Sequence, residues 1–319
     1  MKYAVIADIH GNYNALNAVL ADAEKEKLDG YIFVGDYYMC FPLHNEVAER
    51  IRNLKNTFIV IGNEEERLIK LSKQNQDGWV DGQFAGLYWY YRNITVENKS
   101  YLTSFPNRID IDLNGVKLHI AHSSKAFEKE VNIKEPYASE YTKAYYLKHI
   151  SMDEFLYPFL NQLGQTKENC SNSKIKDIYI FGHTHIQWHR FSNEKLFINP
   201  GACGFPSDSK TDSPYVVLEI TEDNVIIEER RIKYDEELTV EELKNSSLYG
   251  AAKVWNDIII KEYHCKMDLI GFFLEFAEKY AQKIGDYQRP FLRRLFPLRM
   301  RFGKQKTYRL INVYPFSFE

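Results

Sequence analysis

Cysteine is scarce in this chain: Cys40, Cys170, Cys203 and Cys265 are the only four in 319 residues. They are too few and too scattered for a disulfide framework or a paired-cysteine zinc site, so reduced thiols are expected. No stretch reaches the roughly 18 uninterrupted apolar residues of a membrane span. The N-terminal MKYAVIADIHGN likewise has no long apolar run behind a basic flank. The cytoplasm is therefore the expected location. Internal repeats and low-complexity linkers are also missing. Charge is nearly balanced, 41 basic against 44 acidic residues, and the net −3 points to no class of partner. What is present is 45% apolar residues, enough for a sizeable core in one large domain with an added subdomain, or in two modest domains.

The first third alternates between strand and helix. KYAVIAD, YIFVGD and TFIVIGN read as strands, and NALNAVLADAEKEK and NEVAERIRNLK as the helices between them. Apolar strands alternating with helices indicate a parallel sheet covered on both faces, which gathers its functional residues at the carboxyl ends of the strands. Asp8, Asp36 and Asn63 stand at those ends and should converge. Residues 65 to 105 read as an aromatic, helical insertion. A hairpin with Asn114-Gly115 as its turn follows. A second helical segment, 126 to 172, leads into the strand DIYIFG, and HRFSNEKLFINPG and SPYVVLEITEDNVIIEERRIKY supply further strands. The expected class is α/β, with two sheets face to face and helices outside. From 236 the pattern is helical: Thr239 and Glu242 match a capping box, MDLIGFFLEFAEKYAQKIG reads as a helix ending near Gly285, and 286 to 319 are basic and aromatic.

Seven side chains fit one kind of metal site in order and spacing: Asp8, His10, Asp36, Asn63, His122, His183 and His185. A pair of hard divalent cations needs oxygen and imidazole ligands from several strand ends, with one carboxylate bridging both. Asp36 is the expected bridge. Asp8, His10, Asp36 and His185 are assigned to one ion, and Asp36, Asn63, His122 and His183 to the other. A solvent hydroxide held at Asp36 between the ions would attack phosphorus in line. Gly182 is expected to turn the backbone sharply, so that His183 and His185 face different ions. Each motif has a plain alternative: Asp8 as a helix cap, Gly35-Asp36 and Gly62-Asn63 as turns, His122 as a satisfied buried histidine. Their coincidence in order is what favours the metal site.

These motifs resemble the calcineurin-like metallophosphoesterases, and among them a small bacterial branch with DIHGN in the first motif and NPG near the last strands. The resemblance covers roughly residues 1 to 235 and leaves 236 to 319 as a helical, basic C-terminal extension. It implies a four-layered αββα sandwich and two divalent ions, manganese, iron or zinc. Asn199, Pro200 and Gly201 match NPG, a structural support. Many members have a histidine after Asn63 that serves the leaving group; here the residue is Glu64. The replacement implies a phosphodiesterase more than a monoesterase. Glu64 or Glu65 could donate a proton only with a pKa raised by burial, and the plain alternative for Glu64 is a helix-start carboxylate. Asn12 either points its amide at phosphate or caps the first helix.

The substrate class implied is a small nucleotide-type diester or phosphoanhydride, since asymmetric diadenosine tetraphosphate hydrolases share DIHGN, the missing histidine and a helical extension. A nucleic acid is less favoured, and a non-catalytic interaction module is the reading from a different class. Tyr88, Trp89, Tyr90, Tyr91 and Arg92 could stack on a base, although packing is the commoner role of such a run. Arg289, Arg293, Arg294, Arg299, Arg301, Lys304, Lys306 and Arg309 could recognise polyphosphate.

Overall fold

The computed structural model describes residues 1–74, 85–160, 166–171, 174–271 and 273–274, with the backbone alone of 300–302 and 316–318. The side chains of the basic tail, and most of the helix expected to end near Gly285, lie outside these residues.

The N-terminal third forms β1 (Lys2–Ile6), α1 (Tyr13–Ala23), β2 (Gly30–Val34), α2 (His44–Arg52) and β3 (Thr57–Val60). The three strands pair in parallel, Tyr3 opposite Gly30 and Tyr31 opposite Thr57. They are apolar without interruption because both faces are covered. Val5, Ile32 and Val34 point between the two sheets, and Ala4, Ile6 and Phe33 point toward α1 and α2.

The first insertion is helical, as expected, with α3 (Asn63–Leu71), α4 (Ala85–Asn93) and α5 (Val96–Leu102). The hairpin of β4 (Arg108–Leu113) and β5 (Val116–Ala121) turns at Asn114 and Gly115, both left-handed, which suits the right-handed twist of its strands. Next come α6 (Ala138–Lys148) and α7 (Met152–Leu156). The second segment is not helical to its end: β6 (Lys167–Ser171) pairs antiparallel with the later β11 (Asn224–Ile232) as an edge strand. That edge carries no apolar alternation, since only one side of it is paired, so the sequence offers no strand signal there.

The remaining strands are β7 (Asp177–Ile180), β8 (Gln187–Ser192), β9 (Lys195–Pro200) and β10 (Ser213–Ile220). One sheet runs β3-β2-β1-β10-β11-β6 and the other β4-β5-β7-β9-β8. Phe127, Tyr141, Met152 and Leu156 cover the outer face of the second sheet at Phe181, Trp188 and Phe197. Helix, sheet, sheet and helix thus stack in four layers.

After β11 the chain forms α8 (Glu236–Asn245), α9 (Ser247–Ala251) and α10 (Lys253–Cys265). In place of the capping box expected at Thr239, the cap lies four residues earlier. Asp235 caps α8 by accepting the Leu238 N–H at 2.9 Å, because a carboxylate before the first turn satisfies an orphan donor and complements the helix dipole. Thr239 and Glu242 instead accept from the Asn14 amide of α1, at 3.1 and 2.8 Å. Val240, Leu243, Leu248, Ile259 and Tyr263 join the apolar cluster that buries α1 and α2.

Candidate metal centre

The structure brings all seven expected side chains together at the carboxyl ends of β1, β2, β3, β5 and β7. Backbone geometry forces the convergence. Asp8, His10, Asp36, His183 and His185 all have positive φ, between 52° and 70°, a region costing non-glycine residues about 1–3 kcal/mol each. The loops hold one another in that shape: Asp8 N–H donates to Gly35 O at 3.1 Å, His10 N–H to Asp36 O at 2.9 Å, and Gly182 N–H to His122 O at 2.9 Å. Gly182 itself makes no left-handed turn. Its role is space: a Cβ there would lie 2.5 Å from Asp8 Oδ2 and 2.8 Å from Ala7 Cβ.

Two subgroups of side chains lie close enough to share an ion, Asp8 with His10 and His185, and Asp8 with Asp36 and His122. Asp36 also reaches both sides, with Oδ2 3.9 Å from His10 Nε2 and 3.3 Å from His122 Nε2. Asn63 Oδ1 stands 3.0 Å from His122 Nε2 and 2.8 Å from His183 Nδ1. His122 Nδ1 donates to Val34 O at 2.7 Å, which leaves Nε2 pointing inward, the orientation that outer partners impose on ligating histidines. His10 Nε2 and His185 Nε2 are 3.1 Å apart. Two imidazole nitrogens about 2.0–2.1 Å from one ion sit roughly 3.3 Å apart at a tetrahedral angle, so this pair fits a shared cation.

The charges make the same point. Burial alone would lower His122, but Asp36 and Asp8 override it and hold the ring up to about 10. Burial would raise Asp36, yet His122, His10 and the Glu64 N–H hold it below the carboxylate range. Asp8 is pushed up to about 8 by burial, against the pull of His122. Burial lowers His10 to about 4 and His185 well below its ordinary value. Asp8 and Asp36 thus crowd against His10, His122 and His185, an oxygen-and-imidazole donor set of the kind a divalent cation satisfies.

Glu64 opens α3 and lines the site cavity, with Oε2 2.9 Å from Arg67 Nη1. Burial, and then the Asp36 charge, push its carboxyl up to about 8. Glu65 points away and works as a brace: its carboxylate accepts the N–H groups of Asp36, Tyr37 and Gly62 at 2.8 to 2.9 Å. Asn12 does not face a substrate. It is buried, its oxygen accepts the Ala15 N–H at 3.1 Å as the cap of α1, and its amide donates to Gly204 O at 2.9 Å. Asn199 supports the His183 loop as expected, donating to Gly182 O and Thr184 Oγ1, both at 2.9 Å.

The cavity over the site measures about 480 Å³ and continues under Phe205, Trp255 and Ile270. A smaller one of about 260 Å³ opens on the side of Asn63, His122 and Ser123. A small-molecule site is expected under the 65–105 or C-terminal helices, but the sequence singled out neither these roof residues nor Arg67. Arg67 had a signal, since it follows Asn63 by four residues and so shares its helix face. The roof had none, because it approaches through tertiary packing. The aromatic run of α4 is packing: Tyr90 is fully buried, and Trp89 packs on His44 and donates to Ser247 Oγ at 2.9 Å.

Known proteins agree with this architecture. An uncharacterized protein of Methanocaldococcus jannaschii is 29% identical over 246 residues, 77% of this chain and 93% of its own length. A metallophosphoesterase from Sphaerobacter thermophilus shares the fold at TM-score 0.57 and 20% identity, covering 84% of this chain and 100% of that one. A hypothetical protein from Pyrococcus horikoshii does so at 0.57 and 18%, covering 82% and 97%. The model of the calcineurin-like phosphoesterase superfamily domain matches residues 1–223, more than half of the chain, and the protein belongs to that superfamily of metal-using phosphoesterases.

Proposed function

We propose that the protein hydrolyses a small phosphodiester with two divalent cations held by Asp8, His10, Asp36, Asn63, His122, His183 and His185. The observation that carries this reading is the convergence of all seven at one set of strand ends, five of them on left-handed backbone, with His10, Asp36, Asn63, His183 and His185 lining the cavity. Bound cations of this kind draw charge from the phosphoryl oxygens and lower the pKa of water. The donors are oxygen and imidazole, which suits manganese, iron or zinc.

The protein's own groups do the rest. Asp36, within reach of both subgroups, is the shared ligand. Val34 O fixes the His122 tautomer. Arg67 extends its guanidinium into the cavity, where it can take a phosphoryl oxygen. Glu64 stands where many relatives have histidine, and burial with Asp36 nearby favours its protonated form, so it is our candidate proton donor to the leaving oxygen. The roof from Trp255 to Ile270 suits a small substrate better than a duplex, which needs an open groove.

The test is turnover of bis-p-nitrophenyl phosphate against p-nitrophenyl phosphate with manganese. The diester should be preferred, Asp36→Asn should lose nearly all activity together with bound metal, and Glu64→Gln should lose most on poor leaving groups. A monoester preference, or near wild-type turnover by Asp36→Asn, would sink the proposal.

A further inference from the structure

We infer that α10 and the segment behind it form a recognition wall for a planar group, a nucleobase, esterified to the phosphate that the metal centre cleaves. The inference rests on the phosphodiesterase reading and adds to it the class of substrate.

The wall begins at the ligands themselves. Phe205 lies with its ring centre 6.1 Å from those of both His10 and His185, and stacks on Tyr263 of α10 at 6.3 Å with the planes 5° apart. Beyond it the cavity is lined by Trp255, Ile270 and Leu274. Trp255 is only partly buried and rests on α4 at Gly86, where a Cβ would lie 3.7 Å from its Cδ1. The segment is held rigidly, since the Glu262 carboxylate accepts the N–H groups of Leu269 and Ile270 at 2.7 and 2.9 Å. An aromatic, partly exposed side chain beside a phosphate site is what base stacking requires. A volume of about 480 Å³ also falls in the range of small-ligand sites.

Two features select a nucleobase over an acyl chain and over a polyphosphate. Ser139, Ser207 and Asp268 interrupt the apolar lining with hydrogen-bonding groups, which a heterocycle's edge can use and an alkyl chain cannot. Among the described residues that line this cavity outside the proposed ligands, Arg67 is the one cation, and it is already paired with Glu64. Glu64, Glu262 and Asp268 supply acidic groups instead. A run of several phosphates would find no further cation under the roof among the described residues, whereas one diester at the metals with an uncharged base beyond it needs none.

Thymidine 5′-p-nitrophenyl phosphate and methyl p-nitrophenyl phosphate have the same charge and leaving group and differ in the nucleoside, so their kcat/KM ratio measures the wall. With manganese, wild type should favour the thymidine ester. Trp255→Leu and Trp255→Ala should cut the ratio about 5- to 150-fold, mostly through KM, the range expected for one lost stacking contact. Trp255→Phe should retain most of it, and diadenosine tetraphosphate should be the poorer substrate. In calorimetry, thymidine 5′-monophosphate should bind wild type at least about 5-fold more tightly than methyl phosphate, and Trp255→Leu should remove that margin. A ratio unchanged by all three substitutions, a margin absent in wild type, or a higher kcat/KM on diadenosine tetraphosphate overturns the inference. If wild type hydrolyses neither ester, the phosphodiesterase reading fails, and the calorimetric margin decides the wall by itself.

Discussion

The positions that matter most at the residue scale are those where the backbone is forced. A non-glycine residue pays a steric penalty at positive φ, so five of the proposed ligands persist in that state only because neighbouring loops over-determine them. Gly182 makes that crowding possible by leaving room for the Asp8 carboxylate. Gly182→Ala places a methyl 2.5 Å from Asp8 Oδ2, a clash that only a shift of Asp8 relieves. Expected are a loss of bound metal by elemental analysis and a stability loss of about 1–3 kcal/mol in denaturant titration. Unchanged metal content would show that the His183 loop can give way without Asp8. Gly62 is equally crowded, with a Cβ falling 2.1 Å from Asp36 Oδ1. At Gly62 and Gly182 the need for glycine is therefore a matter of volume.

At the scale of elements, α10 carries a buried carboxyl that ties its stability to pH. Glu262 is buried, and burial together with the Asp268 charge raises its carboxyl well above the ordinary 4.5, against the two backbone N–H groups it accepts. The folded protein therefore holds this proton at pH values where the unfolded chain has released it. Its contribution to stability is fully present below about pH 4.5 and declines as pH rises toward the folded-state pKa. Glu262→Gln keeps the acceptor oxygen and removes the titration. The variant should gain stability relative to wild type between pH 5 and pH 8 in denaturant titrations, by roughly 1.4 kcal/mol for each pH unit the proton is held. A difference between the two proteins that does not change with pH would assign Glu262 an ordinary pKa.

Taken whole, the molecule does not divide at the end of the family-matching region. The C-terminal helices share one apolar cluster with α1 and α2, and Tyr263 packs its ring on Phe41 at 5.0 Å. Asn12, at the first motif, donates to Tyr234 and to Tyr263 of α10. Truncation after Tyr234 would spare every proposed ligand and yet strip cover from Phe41 and Phe205. The expected result is an insoluble or non-cooperatively melting protein, read by calorimetry. A truncated chain that melts like the full one would establish 1–234 as an independent domain.

Much of this was legible beforehand, for identifiable reasons. Strands β1, β2 and β3, their helices and the Asn114-Gly115 turn are written in local patterns of apolar period and turn chemistry, which act over a few residues. The seven proposed ligands announced themselves because a divalent centre accepts few donor types. The edge strand β6 was hidden, since its partner β11 lies over fifty residues away and its own letters are polar. Thr239 was misplaced because capping and cross-helix hydrogen bonds use the same side chains, and only geometry decided that Asn12 caps α1. The sequence by itself determined the elements of the sandwich and the chemistry of its donors. Tertiary structure alone decided that Glu65 braces while Glu64 faces the cavity, and that Trp255 roofs a site begun at Asp8, because long-range packing leaves no period in the chain.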